Sequence, residues 1–348
     1  MASSRAGRVV ILVLDALGPE FVDADRMPWL SRLADRGAIA PVGGVAELVA
    51  STGPNHATLL TGAALARHGV LANRVFAPGG GVDADPRVKM PTLLDQAGAA
   101  GRRTAIAASD ADILNTVNGH ACDLTWPTGT DIDQHGTPRP KYLPDAATAE
   151  TLIAAIRSDH DLIVGQLQGI DTAVHKYGID APETRAVRAE VDDIVGVLSS
   201  ALADAWSNTL FVVVSDHRAE DVADRTPVHL SAALAEMADV IEDGSAALVR
   251  PHHGKLASVL ARTIAVEGVA GTSPLDSEHL VAWCEPGRVF GSGRTVAIAG
   301  CHGNLTTRAC VAVVAGGHPI VTMATDAVRR APPSLRLWAP IAAAALAI

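Results

Sequence analysis

Six residues of metal-ligating type adjoin apolar runs in this 348-residue chain. The run 9–14 ends at Asp15. The run 162–167 leads into Gln168-Gly169-Ile170-Asp171-Thr172-Ala173-Val174-His175, and the run 210–214 into Ser215-Asp216-His217. Gly300-Cys301-His302-Gly303 precedes a fourth, 311–314. Mixed carboxylate and imidazole donors suit zinc better than magnesium or calcium, which prefer oxygen shells; manganese stays open. Together with Thr52, Asp15, Asp171, His175, Asp216, His217 and His302 could serve two cations about 4 Å apart.

Thr52 lies in Ala50-Ser51-Thr52-Gly53-Pro54-Asn55-His56, ahead of a predicted helix. A helix start offers unpaired N–H groups and the positive end of a dipole, which suit an anionic oxygen. Pro54 fits a first turn, where its missing N–H costs nothing. A threonine hydroxyl is a poor nucleophile at neutral pH and needs a base or a metal beside it.

Each member alone has a plainer reading. An aspartate at a strand end is commonly a turn or a helix cap. Asp171 and His175, four apart, could form a solvated helix face, and His302 could be a loop histidine. Asp216-His217 is sharper, because burying both without partners would be costly. Arg67 and His68 suit a helix end, and His252-His253 a surface turn. His120, His135 and His160 have no evident partners and default to solvent. The joint order of the six and Thr52 carries the weight.

The elements needed to position them follow the apolar pattern. Residues 9–14 form a β-branched run of the kind buried on both faces of a sheet. Strands are predicted at 103–107, 162–167, 210–214 and 311–314. Helices are predicted at 28–36, 91–100, 144–157, 182–202 and 335–348. Strand and helix alternation argues a doubly wound α/β sheet, whose ligands gather at the C-terminal strand ends. A Gly-rich loop falls at 78–81, and 115–142 reads as a long surface excursion. The texture changes between 218 and 299, which reads as an inserted cap on a core of 1–217 and 300–348; within it, 257–266 alternates like a strand.

A formal net charge of -10 disfavours nucleic-acid or anionic-membrane partners. The four cysteines, Cys122, Cys284, Cys301 and Cys310, form no CxxC pair, which argues against a zinc finger and for free thiols in a reducing compartment. Residues 1–15 show no cleavage signature, and no apolar run is long enough to span a bilayer. The expectation is a cytoplasmic protein acting on a small molecule, of open oligomeric state.

The motif order resembles the alkaline phosphatase superfamily, in its branch of nucleotide pyrophosphatase/phosphodiesterases and phosphonoacetate hydrolases. The matching pieces are Asp15, Thr52-Gly53-Pro54-Asn55-His56, Arg67-His68-Gly69 with Asn73, Asp171 with His175, Ser215-Asp216-His217 and His302-Gly303. The resemblance implies a three-layer sandwich with a mixed, mostly parallel sheet and a small cap. It places Asp15, Thr52, Asp216 and His217 on one zinc, and Asp171, His175 and His302 on another. It implies a phospho-threonine intermediate at Thr52, with Asn73 and a backbone N–H near Thr52 holding a non-bridging oxygen. Pro91-Thr92-Leu93-Leu94, Val174-His175-Lys176-Tyr177-Gly178 and Pro251-His252-His253-Gly254 look closest to phosphonoacetate hydrolase. That family's Lys-Asp-Lys is here Ser109-Asp110-Ala111, leaving Arg74, Lys89, Arg139 or Lys141 to meet a substrate carboxylate. The expected function is hydrolysis of a small phosphodiester or phosphonate-type metabolite. The alternatives are phosphonoacetate-like C–P cleavage and, in another class, a catalytically silent metal-binding protein.

Overall fold

The computed structural model describes residues 7–77, 82–83, 86–129, 142–291, 293 and 297–348. The predicted loop at 78–81, most of the second half of the 115–142 excursion, His135, Arg139 and Lys141 lie outside these residues. The site-bearing sheet consists of β1 (Arg8–Leu14), β2 (Ala38–Ile39), β3 (Thr104–Ala108), β4 (Leu124–Trp126), β5 (Leu162–Leu167) and β6 (Thr209–Val214), closed by a late strand, Ala312–Ala315. The order is β2, the late strand, β6, β1, β5, β3, β4. β1 runs parallel to both β5 and β6, and β3 parallel to β4 and β5; the late strand is antiparallel to β6 and β2. The sheet is therefore mixed and mostly parallel.

Period-two alternation makes three layers from it. On β1, Val9, Ile11 and Val13 face one core with Leu59, Leu93 and Trp338. Val10, Leu12 and Leu14 face the other with Leu30, Leu152, Val195 and Leu198. Helices α1 (Pro28–Asp35), α2 (Thr52–Thr61), α3 (Leu93–Ala99), α4 (Asp145–Arg157), α5 (Gly169–Tyr177) and α6 (Pro182–Ala201) supply these side chains, with two late helices, Ile320–Arg330 and Trp338–Leu346. Each fully buried Leu or Val contributes about 1.5–3 kcal/mol.

Two sequence expectations are corrected. Leu124–Trp126 is an edge strand of the central sheet, inside the stretch predicted as a surface excursion. Its three residues are too few to show a period, and pairing with β3 decides their conformation. Residues 257–266 are helical over Leu256–Ile264, not a strand. Val259 and Thr263, four apart, are both buried and mark the inward helical face.

Between 238 and 284 the chain builds a four-stranded antiparallel sheet: β7 (Ala238–Asp243), β8 (Ala246–Pro251), β9 (Val269–Pro274) and β10 (Leu280–Cys284), in the order β7, β8, β10, β9. Helix α7 (Leu256–Ile264) covers it, and Val249, Val259, Leu280 and Phe290 share its core. The hairpin turn between β7 and β8 points back at the main sheet's ligand edge. No helix among the described residues is long and apolar enough to cross a membrane.

His68 finishes the helical turn Leu65–His68, which Gly69 closes at φ +79. Unlike an ordinary helix-end cation it is fully buried. Its Nδ1 lies 3.2 Å from the Val70 N–H and accepts from it, so Nε2 carries the proton and donates to Thr58 Oγ1 at 2.9 Å. Burial, and then the Arg336 charge, push its pKa down to about 4. The unfolded chain takes up this proton near pH 6.5. The folded-state value is the lower one, so the stabilisation is complete above pH 6.5 and is lost as the pH falls towards 4. We expect up to about 3 kcal/mol to disappear over that window. Urea titrations of wild type and His68→Gln should show a steeper acid loss in the wild type; parallel curves would refute this assignment. His160, expected in solvent, is also buried, with Nδ1 3.2 Å from the Ala155 carbonyl.

Candidate metal centre and active site

The ligand-type residues meet where β1, β5 and β6 end. Asp15 follows β1, and Asp216 and His217 follow β6; all three are fully buried. His217 Nε2 lies 3.5 Å from Asp15 Oδ1, 3.3 Å from Asp216 Oδ2 and 3.5 Å from Thr52 Oγ1. Tetrahedral bonds of about 2.0–2.1 Å place ligand atoms about 3.3 Å apart. These separations have that scale.

Helix α5 builds the second group. Asp171 in its first turn and His175 in its last share a face, as i and i+4 residues do. Asp171 Oδ1 is 3.4 Å from His175 Nε2 and 3.5 Å from His302 Nε2. His175 Nδ1–H donates to the Gly300 carbonyl and His302 Nδ1–H to the Ala50 carbonyl, both at 2.8 Å. Those bonds set the tautomer and aim both Nε2 lone pairs at Asp171, as metal-ligating histidines are commonly held. His175 is the loosest member: the donor atoms lying within 4.8 Å of one another here are those of Asp171, His302 and His217, while the His175 side chain is 30 % exposed and its ring centroid 5.1 Å from that of His302. The groups adjoin: the His217 and His302 rings stack at 3.9 Å.

Each aspartate presents one satisfied and one unsatisfied oxygen. Asp15 Oδ2 accepts from Gln166, Asp171 Oδ2 from Gln168, and Asp216 Oδ1 from the Ala16 and His217 N–H groups. Asp15 Oδ1, Asp171 Oδ1 and Asp216 Oδ2 are buried with no hydrogen-bond partner. Burial, then repulsion from Asp216 and Asp171, holds the Asp15 carboxyl well above the usual range; burial, then Asp171, does the same at Asp216. Burial and the neighbouring imidazoles hold His217 well below its ordinary value. Carboxylates crowded this way without cations would be strongly unfavourable. The donor set and the three orphaned oxygens fit two divalent cations.

Thr52 is the first residue of α2, with its side chain almost fully buried. The loop before it is strained: Val49 has φ +73, a region β-branched residues avoid, and Ala16, next to Asp15, has φ +60. Each costs on the order of 1–3 kcal/mol. The strain is held from both sides. Asn55 donates to the Val49 and Ser51 carbonyls and accepts from the Glu47 N–H, and the Ala50 N–H donates to the Gly303 carbonyl. His56 Nδ1–H donates to the Thr52 carbonyl at 2.8 Å.

Asn73 approaches this turn. The Gly53 N–H donates to Asn73 Oδ1 at 2.8 Å, so that backbone donor is taken. A Cβ on Gly53 would sit 3.1 Å from the same oxygen, so glycine permits the approach. The bond fixes the Asn73 amide with Nδ2 as its remaining donor group. The backbone donor left is Thr52's own N–H, which has no intrahelical acceptor at a first helical position. The β7–β8 turn braces the same residue through Asp243 Oδ2, 3.4 Å from the Asn73 N–H, and its Ser245 N–H donates to the His302 carbonyl.

A cavity of about 520 Å³ opens over these groups, lined by Thr52, Asn73, Asp171, His175 and His302 together with Arg74, Asp110, Asp112, Tyr142, Glu242 and Asp243. Among the described lining residues Arg74 carries the only guanidinium or ammonium, and Lys89 is not part of the wall. Sequence reading missed Gln166, Gln168 and the Asp243 turn. Gln166 left a signal: an amide inside the apolar strand Leu162–Leu167 must find partners.

The sequence profile of type I phosphodiesterases / nucleotide pyrophosphatases matches residues 9–285. An uncharacterised pyrophosphatase/phosphodiesterase of Schizosaccharomyces pombe is 26% identical over 242 residues, 64% of this chain and 47% of the relative. Human ectonucleotide pyrophosphatase/phosphodiesterase family member 5 is 26% identical over 223 residues, 61% of this chain and 45% of the relative. The chain thus spans about half the length of these curated relatives. In fold, it superposes on inactive murine ectonucleotide pyrophosphatase/phosphodiesterase 5 in complex with AMP with a TM-score of 0.76, at 17% identity and over 98% of this chain and 95% of that one. Phosphonoacetate hydrolase from Sinorhizobium meliloti 1021 in complex with phosphonoformate gives 0.72 at 19% identity, over 93% and 96%. With a profile match over most of its length and this fold, the chain belongs to the type I phosphodiesterase / nucleotide pyrophosphatase family, within the alkaline phosphatase superfamily.

Proposed function

We propose that this chain is a metal-dependent hydrolase of a small phosphodiester or phosphonate-type metabolite, with Thr52 as nucleophile. The observation that carries the reading is Thr52 Oγ1 standing 3.5 Å from His217 Nε2, at the rim of two adjoining carboxylate–imidazole groups. Asp15, Asp216, His217 and Thr52 would hold one cation, and Asp171, His175 and His302 the other, with zinc preferred on donor type and manganese open. When bound, the pair supplies Lewis-acid charge beside the attacking and departing oxygens.

The chain's residues do the rest. Helix α2 aims Thr52 Oγ1 into the cavity, where it gives up its proton, attacks phosphorus in line and displaces the leaving group, which departs with a proton. Water then attacks the phospho-threonine, breaking the Oγ1–P bond, releasing the phosphoryl product and restoring the hydroxyl. Asn73 Nδ2 and the Thr52 N–H hold a non-bridging oxygen as its charge grows. The strained loop, locked by Asn55 and His302, keeps the nucleophile from wandering. Residues 218–299 act as the cap, contributing Glu242 and Asp243 to the cavity wall.

A panel of bis(p-nitrophenyl) phosphate, p-nitrophenyl phosphate and phosphonoacetate, each with zinc or manganese, tests the reading. Diester turnover above monoester turnover supports it; no turnover of any ester with either metal would sink it. Phosphate release from phosphonoacetate would instead favour C–P cleavage, although that substrate's carboxylate would meet Asp110, Asp112, Glu242 and Asp243 with Arg74 as counter-charge. Asn73→Ala should lower kcat by about 10²–10³-fold with little change in metal content. A KM effect alone would reassign Asn73 to ground-state binding.

A further inference from the structure

Gln166 lies next to last on β5, 1% exposed, with every amide direction used. Its Oε1 accepts from the Asp110 N–H at 2.9 Å. Its Nε2 donates to Asp15 Oδ2 at 2.8 Å and to Gln168 Oε1 at 2.6 Å. Gln168, also buried, passes the chain on: its Nε2 donates to Asp171 Oδ2 at 2.7 Å. Only one orientation of each amide satisfies this path, because a backbone N–H can only donate and an ionised carboxylate can only accept.

The path joins one aspartate from each ligand group. On both aspartates it occupies Oδ2 and leaves Oδ1 buried and unpartnered, facing the imidazoles. The amides thereby select which oxygen each aspartate presents. A main-sheet strand and the start of α5 carry the two glutamines, so the connection is rigid.

We infer that Gln166 and Gln168 form an amide bridge that orients Asp15 and Asp171 together and couples the loading of the two cation positions. The inference rests on the binuclear reading above and goes beyond it, since neither glutamine has a role in that scheme, although Gln168 also lines the cavity. Both are positioning residues. Loss of the Gln166 donor frees Asp15 Oδ2 and also releases Gln168, so one substitution reaches both positions.

The test uses the full chain, with zinc content, zinc affinity by chelator competition, and the visible spectrum of the cobalt(II)-loaded protein. Gln166→Met, close in volume and without a donor, should weaken zinc at both positions by about 10–100-fold and alter both cobalt signals. Gln168→Met should weaken chiefly the Asp171 position. The double variant should lose little beyond Gln166→Met, because the two substitutions break one path. Gln166→Glu, nearly isosteric, replaces the donor by a carboxylate against Asp15 and should weaken binding at least as much. It serves as the second probe should the methionine variant fail to fold, which a melting curve without metal reveals. Folded variants with wild-type zinc affinity and cobalt spectra would overturn the bridge while leaving the binuclear reading intact. Weakening by Gln166→Met confined to the Asp15 position would overturn the coupling. A wild-type chain that binds no zinc or cobalt would overturn the binuclear reading itself, and the bridge with it.

Discussion

Thr52→Ala is expected to lower turnover of any phosphorus ester the protein accepts by about 10⁴-fold or more, while the cations stay bound. The substitution removes Oγ1, the hydroxyl that stands 3.5 Å from His217 Nε2 beside the cavity. It leaves Asp15, Asp216 and His217, the other proposed donors to the first position, in place. The residue capping α2, Ser51, makes no side-chain capping bond and is untouched by the substitution, so the helix itself loses little. Thr52→Ser keeps the oxygen and should retain much of the activity. Single-turnover assays in acid quench would then find phosphorus on the wild-type chain and none on the alanine variant. An alanine variant that still turns over at wild-type rate would rule out the covalent route, and one that loses its metals would mean that Thr52 is a structural ligand.

Withdrawal of the cations should have the second largest effect, on stability as well as rate. Asp15, Asp171 and Asp216 each bury one oxygen with no hydrogen-bond partner, so the folded state gains whenever a cation occupies the space between them. A ligand present at about 1,000 times its dissociation constant contributes about 4 kcal/mol, and two positions about twice that. Unfolding entropy of about 2.1 cal/mol/K per residue converts this to a melting temperature about 10 °C lower after exhaustive chelation. Activity should vanish and return with zinc or manganese. Asp171→Asn should halve the bound metal and remove the larger part of the activity. A chelated protein that melts where the untreated one does would show that these aspartates are satisfied by protons, not by metal.

Much of the fold was legible because its strands are buried on both faces and read as unbroken apolar runs. The run 162–167 coincides with the observed strand Leu162–Leu167, and Asp15 and Asp216 fall at the ends where ligands gather. The six ligand-type candidates stood out for a related reason, since such residues are conspicuous beside these runs, and Thr52 stood out by its place ahead of a helix. Local pattern failed where tertiary contact decides. Leu124–Trp126 is a strand because β3 lies beside it. Residues 257–266 alternate only loosely, and the segment Leu256–Ile264 packs by a helical stripe through Val259 and Thr263. The bond from the Gly53 N–H to Asn73 Oδ1 joins residues 20 positions apart and shows only in the fold. The bracing of Asn73 and His302 by the β7–β8 turn joins residues about 170 and 60 positions apart, beyond any local pattern.

The Ala50 peptide is gripped on both sides by residues some 250 positions later, its N–H by Gly303 and its carbonyl by His302. During translation Thr52 leaves the ribosome long before either partner exists. The nascent polypeptide therefore carries its hydroxyl on an unclamped segment until His302 and Gly303 have been made. The geometry around Thr52 would then be set in one step, once residue 303 is available to close on residue 50.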